Sequence, residues 1–275
     1  MTTALGTLLG PLPVEAFFRD YFPERHVTVH GSFDRLPAFF RHEILADPRE
    51  LSRAYRGPID VTGRGNACHQ VHGPDARAFF EELGLSVRFS KIQDILPGAK
   101  EWLREVESEL GMPRGTTTLS AFVNAPGSGL CVHCDRQEQI AIHVRGPKAF
   151  RVRPHEARYA KMQHAAGRVS RPEWLAQSDD LLMLSHFGDD AERIDLRPGS
   201  VLYTPRGLYH ETMAGDEIAL TVVLAFPNPT PAELLSSYLE RTLLQSEEWR
   251  RPLDRAWSRD PAERGDGAGS HAGVD

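Results

Sequence analysis

The sequence predicts a mainly β fold with helical decoration, a sandwich or barrel of short strands with helices before and after it. From Thr117 onward, short apolar or alternating runs are separated by glycine and proline, which is typical of such folds. Before Thr117 the clearest pattern has helical spacing. The β runs read TLSAFVNA, QIAIHV, AFRV, SVLYTP and IALTVVLAF, and the helical stripe comprises Trp102, Val106 and Leu110.

Residues 1–116 are predicted to be a lead-in of helices and short strands that packs on the barrel. Gly111, Pro113 and Gly115 end its last helix, because glycine and proline terminate helical segments. The expected helices cover 14–21, 35–42, 48–55, 74–83 and 98–110, and the expected strands cover 26–29 and 59–61.

Residues 117–227 are the predicted β core, interrupted at 155–195 by an insertion with a helix-like portion. Insertions of this kind commonly frame a pocket. A helical segment is expected at 228–258, where Leu235, Leu239 and Leu243 form one stripe. That stripe either packs on its own barrel or forms a homodimer surface. The tail at 259–275 is rich in glycine, alanine and charge, and is expected to be disordered.

The bulk properties are those of an ordinary globular protein. A net charge of -6 and an isoelectric point near 6.1 give no electrostatic reason to expect nucleic acid or an anionic membrane as the main partner. The beginning of the chain lacks a secretory leader, and no long apolar run is present, so a cytoplasmic location is expected. Three cysteines among 275 residues predict no disulfide framework.

A metal site is predicted from an H-x-D pair and a later histidine. Residues two apart on a strand point to the same face, so His133 and Asp135 can reach one ion, and His210 would complete the site. Two imidazoles and one carboxylate leave open positions that suit Fe(II) with a chelating co-substrate and dioxygen. Cys131 and Cys134 flank His133 and raise a zinc alternative, but strand geometry points Cys134 away from the site.

Lys148 is the predicted anchor for a dicarboxylate co-substrate. It follows the Gly146-Pro147 turn and begins the next strand, where its ammonium would meet the distal carboxylate. The strand before this turn is expected to be polar inside and apolar outside. Its inward residues are Gln137, Gln139, Ala141 and His143, and its outward residues are Ile140, Ile142 and Val144.

Other pocket residues are weaker predictions. Asn124 and Gln139 are candidates for hydrogen bonds to co-substrate or substrate, and Thr212 shares the face of His210. His143 is either a satisfied interior histidine or a substrate contact. Tyr203, within the turn sequence PGSVLYTPRGLYH, is a further pocket candidate.

The region from about 120 to 226 resembles the JmjC-type, cupin-like Fe(II)- and 2-oxoglutarate-dependent oxygenases, a group that includes factor-inhibiting-HIF-like and ribosomal-oxygenase-like hydroxylases. The segments that carry the resemblance are FVNAPGSGLCVHCD, HVRGPKAFRV and PGSVLYTPRGLYHE, and FFRDYFPERHVTVHG is similar to the family's lead-in. The resemblance implies a jelly-roll, or double-stranded β-helix. It also implies iron ligation by His133, Asp135 and His210, and binding of 2-oxoglutarate by Lys148. His143 and Phe150 depart from the family's usual pocket residues.

The implied activity is hydroxylation of a C–H bond on a protein or peptide side chain, or N-methyl oxidation, with dioxygen consumed and succinate and carbon dioxide released. A hydroxylase of free or carrier-bound amino acids is the first alternative. The second is a metal-binding cupin without oxygenase activity, against which Lys148 argues, since such a protein needs no anchor for 2-oxoglutarate.

Overall fold

The computed structural model describes residues 3–63, 67–72, 76–154, 164–165 and 186–252. The helix-like portion expected at 171–184 and the tail at 259–275 lie outside the described residues. The chain divides into two compact units, residues 1–227 and residues 228–275. Among the described residues, no helix is long and apolar enough to cross a membrane.

The described part contains eight α-helices and thirteen strands. The helices are α1 Ala4–Leu9, α2 Val14–Asp20, α3 Glu43–Ala46, α4 Pro48–Ala54, α5 Arg77–Glu81, α6 Ala99–Glu109, α7 Pro231–Leu243 and α8 Glu247–Arg250. The strands before the metal-site region are β1 Val27–Val29, β2 Ile59–Thr62, β3 Cys68–Val71, β4 Ser86–Ser90 and β5 Thr118–Asn124. The remaining strands are β6 His133–Cys134, β7 Glu138–Arg145, β8 Lys148–Arg153, β9 His164–Ala165, β10 Glu192–Leu196, β11 Val201–Thr204, β12 Tyr209–Ala214 and β13 Ala219–Phe226.

The strands form two antiparallel sheets. The larger has the order β1-β11-β7-β13-β5-β4-β2-β3, and the smaller has the order β10-β8-β12-β6-β9. From β5 to β13 the chain passes repeatedly between the two sheets, with β8, β9 and β10 following one another in the smaller sheet, as expected for a jelly-roll with an insertion. The prediction of a mainly β fold with helical decoration is confirmed.

A small apolar cluster between the sheets holds them together. Ala141, Leu202 and Val223 come from the large sheet, and Phe150 and Val152 come from the small one. Because both sheets contribute side chains to this cluster, the space between them is the interior of the barrel.

The opposite face of the large sheet is covered by the N-terminal helices. Ile140, Ile142 and Val144 point into this second and larger cluster, together with Phe17 and Trp102 from the helices α2 and α6. The predicted alternation of β7 is therefore present, with apolar residues beneath the helices and the other side chains facing the barrel interior.

Two of the expected helices differ in the structure. The segment expected to be helical at 35–42 contains two short 3₁₀ turns, Phe33–Arg35 and Ala38–Arg41. Between them Leu36 is extended, with ψ 152°, because the following Pro37 disfavours the helical region. The expected helix at 74–83 is shorter, since α5 covers only Arg77–Glu81.

The described part of the second unit, residues 228–252, consists of α7 and α8. Thr230 caps α7 and forms a capping box with Glu233. The apolar side chains of α7 are largely exposed, and the homodimer through this segment stays a prediction. These exposed residues are Leu234, Leu235, Tyr238 and Leu239.

Candidate metal centre and pocket

Two of the predicted metal ligands face each other across neighbouring strands. His133 of β6 pairs with His210 of β12 in an antiparallel bridge. Residues directly opposite in such a bridge have side chains on the same face of the sheet. Their imidazole ring centroids are accordingly 4.2 Å apart, and both residues are buried.

Each imidazole is oriented by a backbone carbonyl two residues earlier in the chain. Nδ1 of His133 lies 2.7 Å from the carbonyl oxygen of Cys131, and Nδ1 of His210 lies 3.0 Å from that of Leu208. A carbonyl oxygen only accepts hydrogen bonds, so each Nδ1 must carry the proton. Both Nε2 atoms are therefore left with a lone pair that can bind a metal.

Asp135 supplies the third donor to the same point. Its Oδ2 lies 3.9 Å from Nε2 of His133 and 3.6 Å from Nε2 of His210. One ligand atom from each of the three residues lies within 4.8 Å of the others, the only such cluster among the described residues. The main chain also fixes this corner, because the Gly207 amide donates to the Asp135 carbonyl at 2.9 Å.

Burial keeps this centre ready for a cation. It lowers the pKa of His210 to about 4, with a further contribution from the adjacent His133. The imidazole is therefore neutral near pH 7, which is the form that ligates metals.

A buried lysine reaches across the barrel interior. Lys148 begins β8 in the small sheet, and its Nζ donates to Oδ1 of Asn124 on β5 of the large sheet at 2.8 Å. Lys148 is only 5% exposed, and burial lowers its pKa to about 7. A buried cation facing a neutral amide can accept an anionic ligand.

The register of β8 against β12 relates Lys148 to the metal ligands. His210 pairs with Val152, and Lys148 pairs with Ala214, four residues further along β12. Four residues correspond to about 13 Å of strand. Phe150 lies between them, its ring stacked on His210 at 5.9 Å and 5.4 Å from the Lys148 Nζ.

His143 organises the turn from which Lys148 emerges. Its Nε2 lies 2.6 Å from the Gly146 carbonyl oxygen, and its Nδ1 lies 3.0 Å from Oγ1 of Thr221. The carbonyl requires Nε2 to donate, so Nδ1 accepts from the threonine hydroxyl. Both ring nitrogens are thus satisfied, and burial lowers the His143 pKa to about 4. Of the two interpretations of His143, the structure favours the satisfied interior histidine.

Gly146→Ala is expected to destabilise the turn before Lys148. Gly146 has φ +71°, and a Cβ would lie 2.4 Å from the Ile218 carbonyl oxygen. Backbone strain of this kind costs on the order of 1–3 kcal/mol, and the clash adds to it. Gly127→Ala is the matched control, because Gly127 has φ +66° but open space around it. Thermal unfolding should show a larger fall in Tm for Gly146→Ala than for Gly127→Ala. An equal fall in Tm would mean that the backbone at Ile218 moves away and relieves the clash.

Gln139 and Thr212, two weaker candidates, also lie on the interior face. Gln139 pairs with Thr204 and Ala225 and is partly buried. Thr212 pairs with Phe150, but its hydroxyl accepts from the Leu130 amide at 3.1 Å. Thr212 therefore holds the loop that leads into the metal-binding strand β6.

Tyr203 is not a pocket residue, which corrects the sequence-based expectation. Its neighbours Leu202 and Thr204 face the barrel, so Tyr203 points to the helix-covered side, where it contacts Phe17 at 5.0 Å between ring centroids. Its hydroxyl donates to the buried Glu138 carboxylate at 2.6 Å.

Glu138 and Glu211 support the site, although the sequence patterns did not single them out. The Glu138 carboxylate accepts a hydrogen bond from the Tyr203 hydroxyl and a second one, at 3.1 Å, from the Arg206 amide. The second bond holds the turn that leads to His210. Glu211 accepts from Arg151 at 3.0 Å and lies 2.9 Å from Nδ1 of His186. These contacts fasten residue 186, where the described chain resumes, beside β12. For Glu211, the available signal in the sequence was its position directly after the predicted ligand His210.

The chain is similar to several known proteins. Residues 104–234 match the family model described as JmjC domain. The Bacillus subtilis (strain 168) protein YxbC is 24% identical over 90% of this chain and 78% of its own length. The bifunctional lysine-specific demethylase and histidyl-hydroxylase NO66 of Aedes aegypti is 25% identical over 90% of this chain, which spans 38% of that relative.

Solved structures show the same fold. YcfD, a ribosomal oxygenase from Escherichia coli determined with cobalt and 2-oxoglutarate, superposes with a TM-score of 0.57 at 19% identity. The superposition covers 92% of this chain and 62% of the YcfD chain. The jelly-roll prediction is thereby confirmed. Residues 104–234 are therefore similar to a JmjC domain and lie within this jelly-roll fold.

Proposed function

We propose that the chain is an Fe(II)- and 2-oxoglutarate-dependent oxygenase that hydroxylates a C–H bond on a protein or peptide side chain. The observation that carries the proposal is the convergence of two Nε2 lone pairs and one carboxylate oxygen within 4.8 Å. Their tautomers are already set by the carbonyl groups of Cys131 and Leu208. The donor set needs no rearrangement of its hydrogen bonds to receive a cation.

The donor chemistry fits iron. Two imidazole nitrogens and one carboxylate on one side of an octahedral ion are the ligand set of non-haem Fe(II) oxygenases, and they leave open positions for other ligands. The cysteine-based zinc site that the neighbouring Cys134 suggested is not formed, because Cys134 packs with Val132 and Tyr209 on the outer face of the small sheet. His133, Asp135 and His210 would therefore hold Fe(II).

The buried ammonium fits the distal carboxylate of 2-oxoglutarate. Lys148 projects into the same barrel interior as His210, and the paired residues Phe150 and Thr212 lie between them. Charge pairing with a carboxylate would offset the cost of burying the ammonium. Asn124, which is bonded to Lys148, would contact the same carboxylate.

When bound, iron and 2-oxoglutarate would supply the oxidation of a C–H bond by dioxygen, with release of succinate and carbon dioxide. The chain's own residues orient and enclose the reactants. The carbonyl groups of residues 131 and 208 fix the two imidazoles, Lys148 holds the co-substrate's far end, and Phe150 excludes water between them.

A protein or peptide substrate is supported by the relatives. The NO66 proteins are named as lysine-specific demethylases and histidyl-hydroxylases, and YcfD is named as a ribosomal oxygenase. YcfD has been solved with cobalt and with either 2-oxoglutarate or succinic acid. This chain spans only 38% of the Aedes relative and 62% of YcfD. A protein or peptide substrate is therefore proposed for this chain and is not transferred from these relatives.

The test is succinate formation from 2-oxoglutarate by the full chain with Fe(II) and ascorbate, alone and with panels of peptides and of free amino acids. Turnover that is stimulated by a peptide, together with a mass gain of one oxygen atom on it, is the expected result. Stimulation by free amino acids alone would instead identify a small-molecule hydroxylase. If no succinate forms and anaerobic Fe(II) plus 2-oxoglutarate gives no charge-transfer absorbance, the proposal is wrong and a metal-binding cupin takes its place.

A further inference from the structure

Lys148 is the first member of a chain of four polar side chains. Its Nζ donates to Oδ1 of Asn124 at 2.8 Å, and Nδ2 of Asn124 donates to Oγ of Ser86 at 2.8 Å. Oγ of Ser86 lies 3.2 Å from Oγ of Ser128. The first three residues are at most 5% exposed. They come from β8, β5 and β4, and Ser128 lies in the loop between β5 and the metal-binding strand β6.

The chemistry of the groups sets the direction of the first two bonds in this chain. An ammonium has only donors, so the oxygen of the Asn124 amide must face Lys148. Its nitrogen then faces Ser86, whose oxygen accepts. In the bond between Ser86 and Ser128, either hydroxyl can donate. An amide turned by half a rotation would place its NH₂ against the ammonium, with no acceptor for Lys148.

Ser86 accepts from the Asn124 amide and so fixes where this side chain lies, while the donor-only ammonium sets which end of the amide faces Lys148. The two residues pair directly in the register of β4 against β5, so their side chains share one face of the sheet. Ser86 is fully enclosed, being 3% exposed, and water cannot easily replace its hydroxyl. It lies before the segment that matches the JmjC family model, which begins at residue 104.

We propose that Ser86 is a positioning residue for the co-substrate, which through the Asn124 amide holds the Lys148 ammonium where the distal carboxylate of 2-oxoglutarate binds. This inference rests on the proposed function. Ser86 does not touch the co-substrate. Its effect is to hold the Asn124 side chain in place, and with it the oxygen that accepts from the Lys148 ammonium.

The expected consequence is a loss in 2-oxoglutarate affinity without a matching loss in turnover. Ser86→Ala removes one hydrogen bond of a buried network, which corresponds to about a three- to tenfold higher Kd and KM for 2-oxoglutarate. The rate at saturating 2-oxoglutarate should stay within about twofold, since an interaction that only places the co-substrate changes KM more than kcat. Ser86→Thr keeps the hydroxyl and should restore much of the affinity.

The experiment measures the Kd for 2-oxoglutarate by anaerobic titration of the Fe(II)-loaded full chain, and KM and kcat from succinate formation. Ser90→Ala is the matched control, because Ser90 lies on the same strand and face but is less buried and pairs with Ser120. Lys148→Ala is measured in parallel. A Kd that rises for Ser86→Ala and not for Ser90→Ala or Ser86→Thr supports the positioning role.

Two other outcomes overturn the inference in different ways. If Lys148→Ala weakens 2-oxoglutarate binding while Ser86→Ala behaves like Ser90→Ala, or loses kcat and thermal stability without a change in Kd, then Ser86 has no positioning role and the proposed function stands. If Lys148→Ala itself leaves the Kd unchanged, both the positioning role and the proposed co-substrate site are wrong.

Discussion

Replacing His210 with alanine is expected to abolish iron binding and 2-oxoglutarate turnover. The imidazole supplies one of three converging donors, and its Nδ1 proton is already held by the Leu208 carbonyl. Loss of even an outer partner of a ligand costs about 10- to 100-fold in metal affinity, so the loss of the ligand should cost more than about 100-fold. Iron content of the purified protein and the rate of succinate formation would measure the effect.

His69→Ala provides the control for this change. His69 lies on β3 and is exposed, outside the cluster formed by the three ligand residues. This variant should retain the iron and the turnover of the unmodified chain. A His210→Ala protein that folds, retains iron and forms succinate at the normal rate would contradict the assignment of the metal centre.

Replacing Lys148 with alanine is expected to produce the second large effect, a loss of 2-oxoglutarate binding with iron binding retained. Removing one partner of a buried charge pair costs about 2–5 kcal/mol, or about 30- to 4,000-fold in Kd at about 1.4 kcal/mol per tenfold. Lys100→Ala is the control, since Lys100 is exposed and paired with Asp94. Anaerobic titration with 2-oxoglutarate gives the Kd. An unchanged Kd would exclude Lys148 as the anchor.

The same lysine predicts how binding depends on pH. Burial lowers the pKa of Lys148 to about 7. The pKa values of the nearby His143 and His210 are about 4, so these two imidazoles are neutral at pH 6 to 8 and do not add charge beside the lysine. Below pH 7 the ammonium is already formed. Above pH 7 it must first take up a proton, so the affinity should fall about tenfold per pH unit. Proton uptake on binding should be small at pH 6 and approach one at pH 8.

Calorimetry in two buffers of different ionisation enthalpy would measure this proton uptake. The Lys148→Ala chain is the control, at a ligand concentration high enough to saturate it. A proton count that does not change between pH 6 and pH 8 would show that Lys148 is charged before the co-substrate arrives.

The sequence predicted the parts of this protein that repeat a simple period. The alternation in β7 and the spacing of Trp102 and Val106 identified both faces of the large sheet and helix α6. The two-residue spacing of His133 and Asp135 placed them on one face, and the structure brings His210 to the same point. Local periodicity is sufficient for such features because it follows from backbone geometry alone.

The parts that the sequence did not reveal depend on contacts between distant segments. Strand β4 has only five residues, and its inward positions are polar, so it did not stand out between helical segments. The role proposed for Ser86 depends on its hydrogen bond with Asn124, which lies 38 positions later in the chain. Tyr203 was misassigned because it lies within the turn sequence that leads to His210, whereas the alternation of side chains along β11 turns it toward the helices.

The register of β8 against β12 also sets the distance between the metal ligand His210 and Lys148. With Val152 opposite His210, the Phe150 and Thr212 pair occupies the single inward row between the metal ligand and the lysine row. A slip of two residues would keep every side chain on its face but move the ammonium about 6.6 Å along the barrel. In the proposed site, the pairing between these two strands would therefore set the length of the dicarboxylate that fits between the metal ligands and the ammonium.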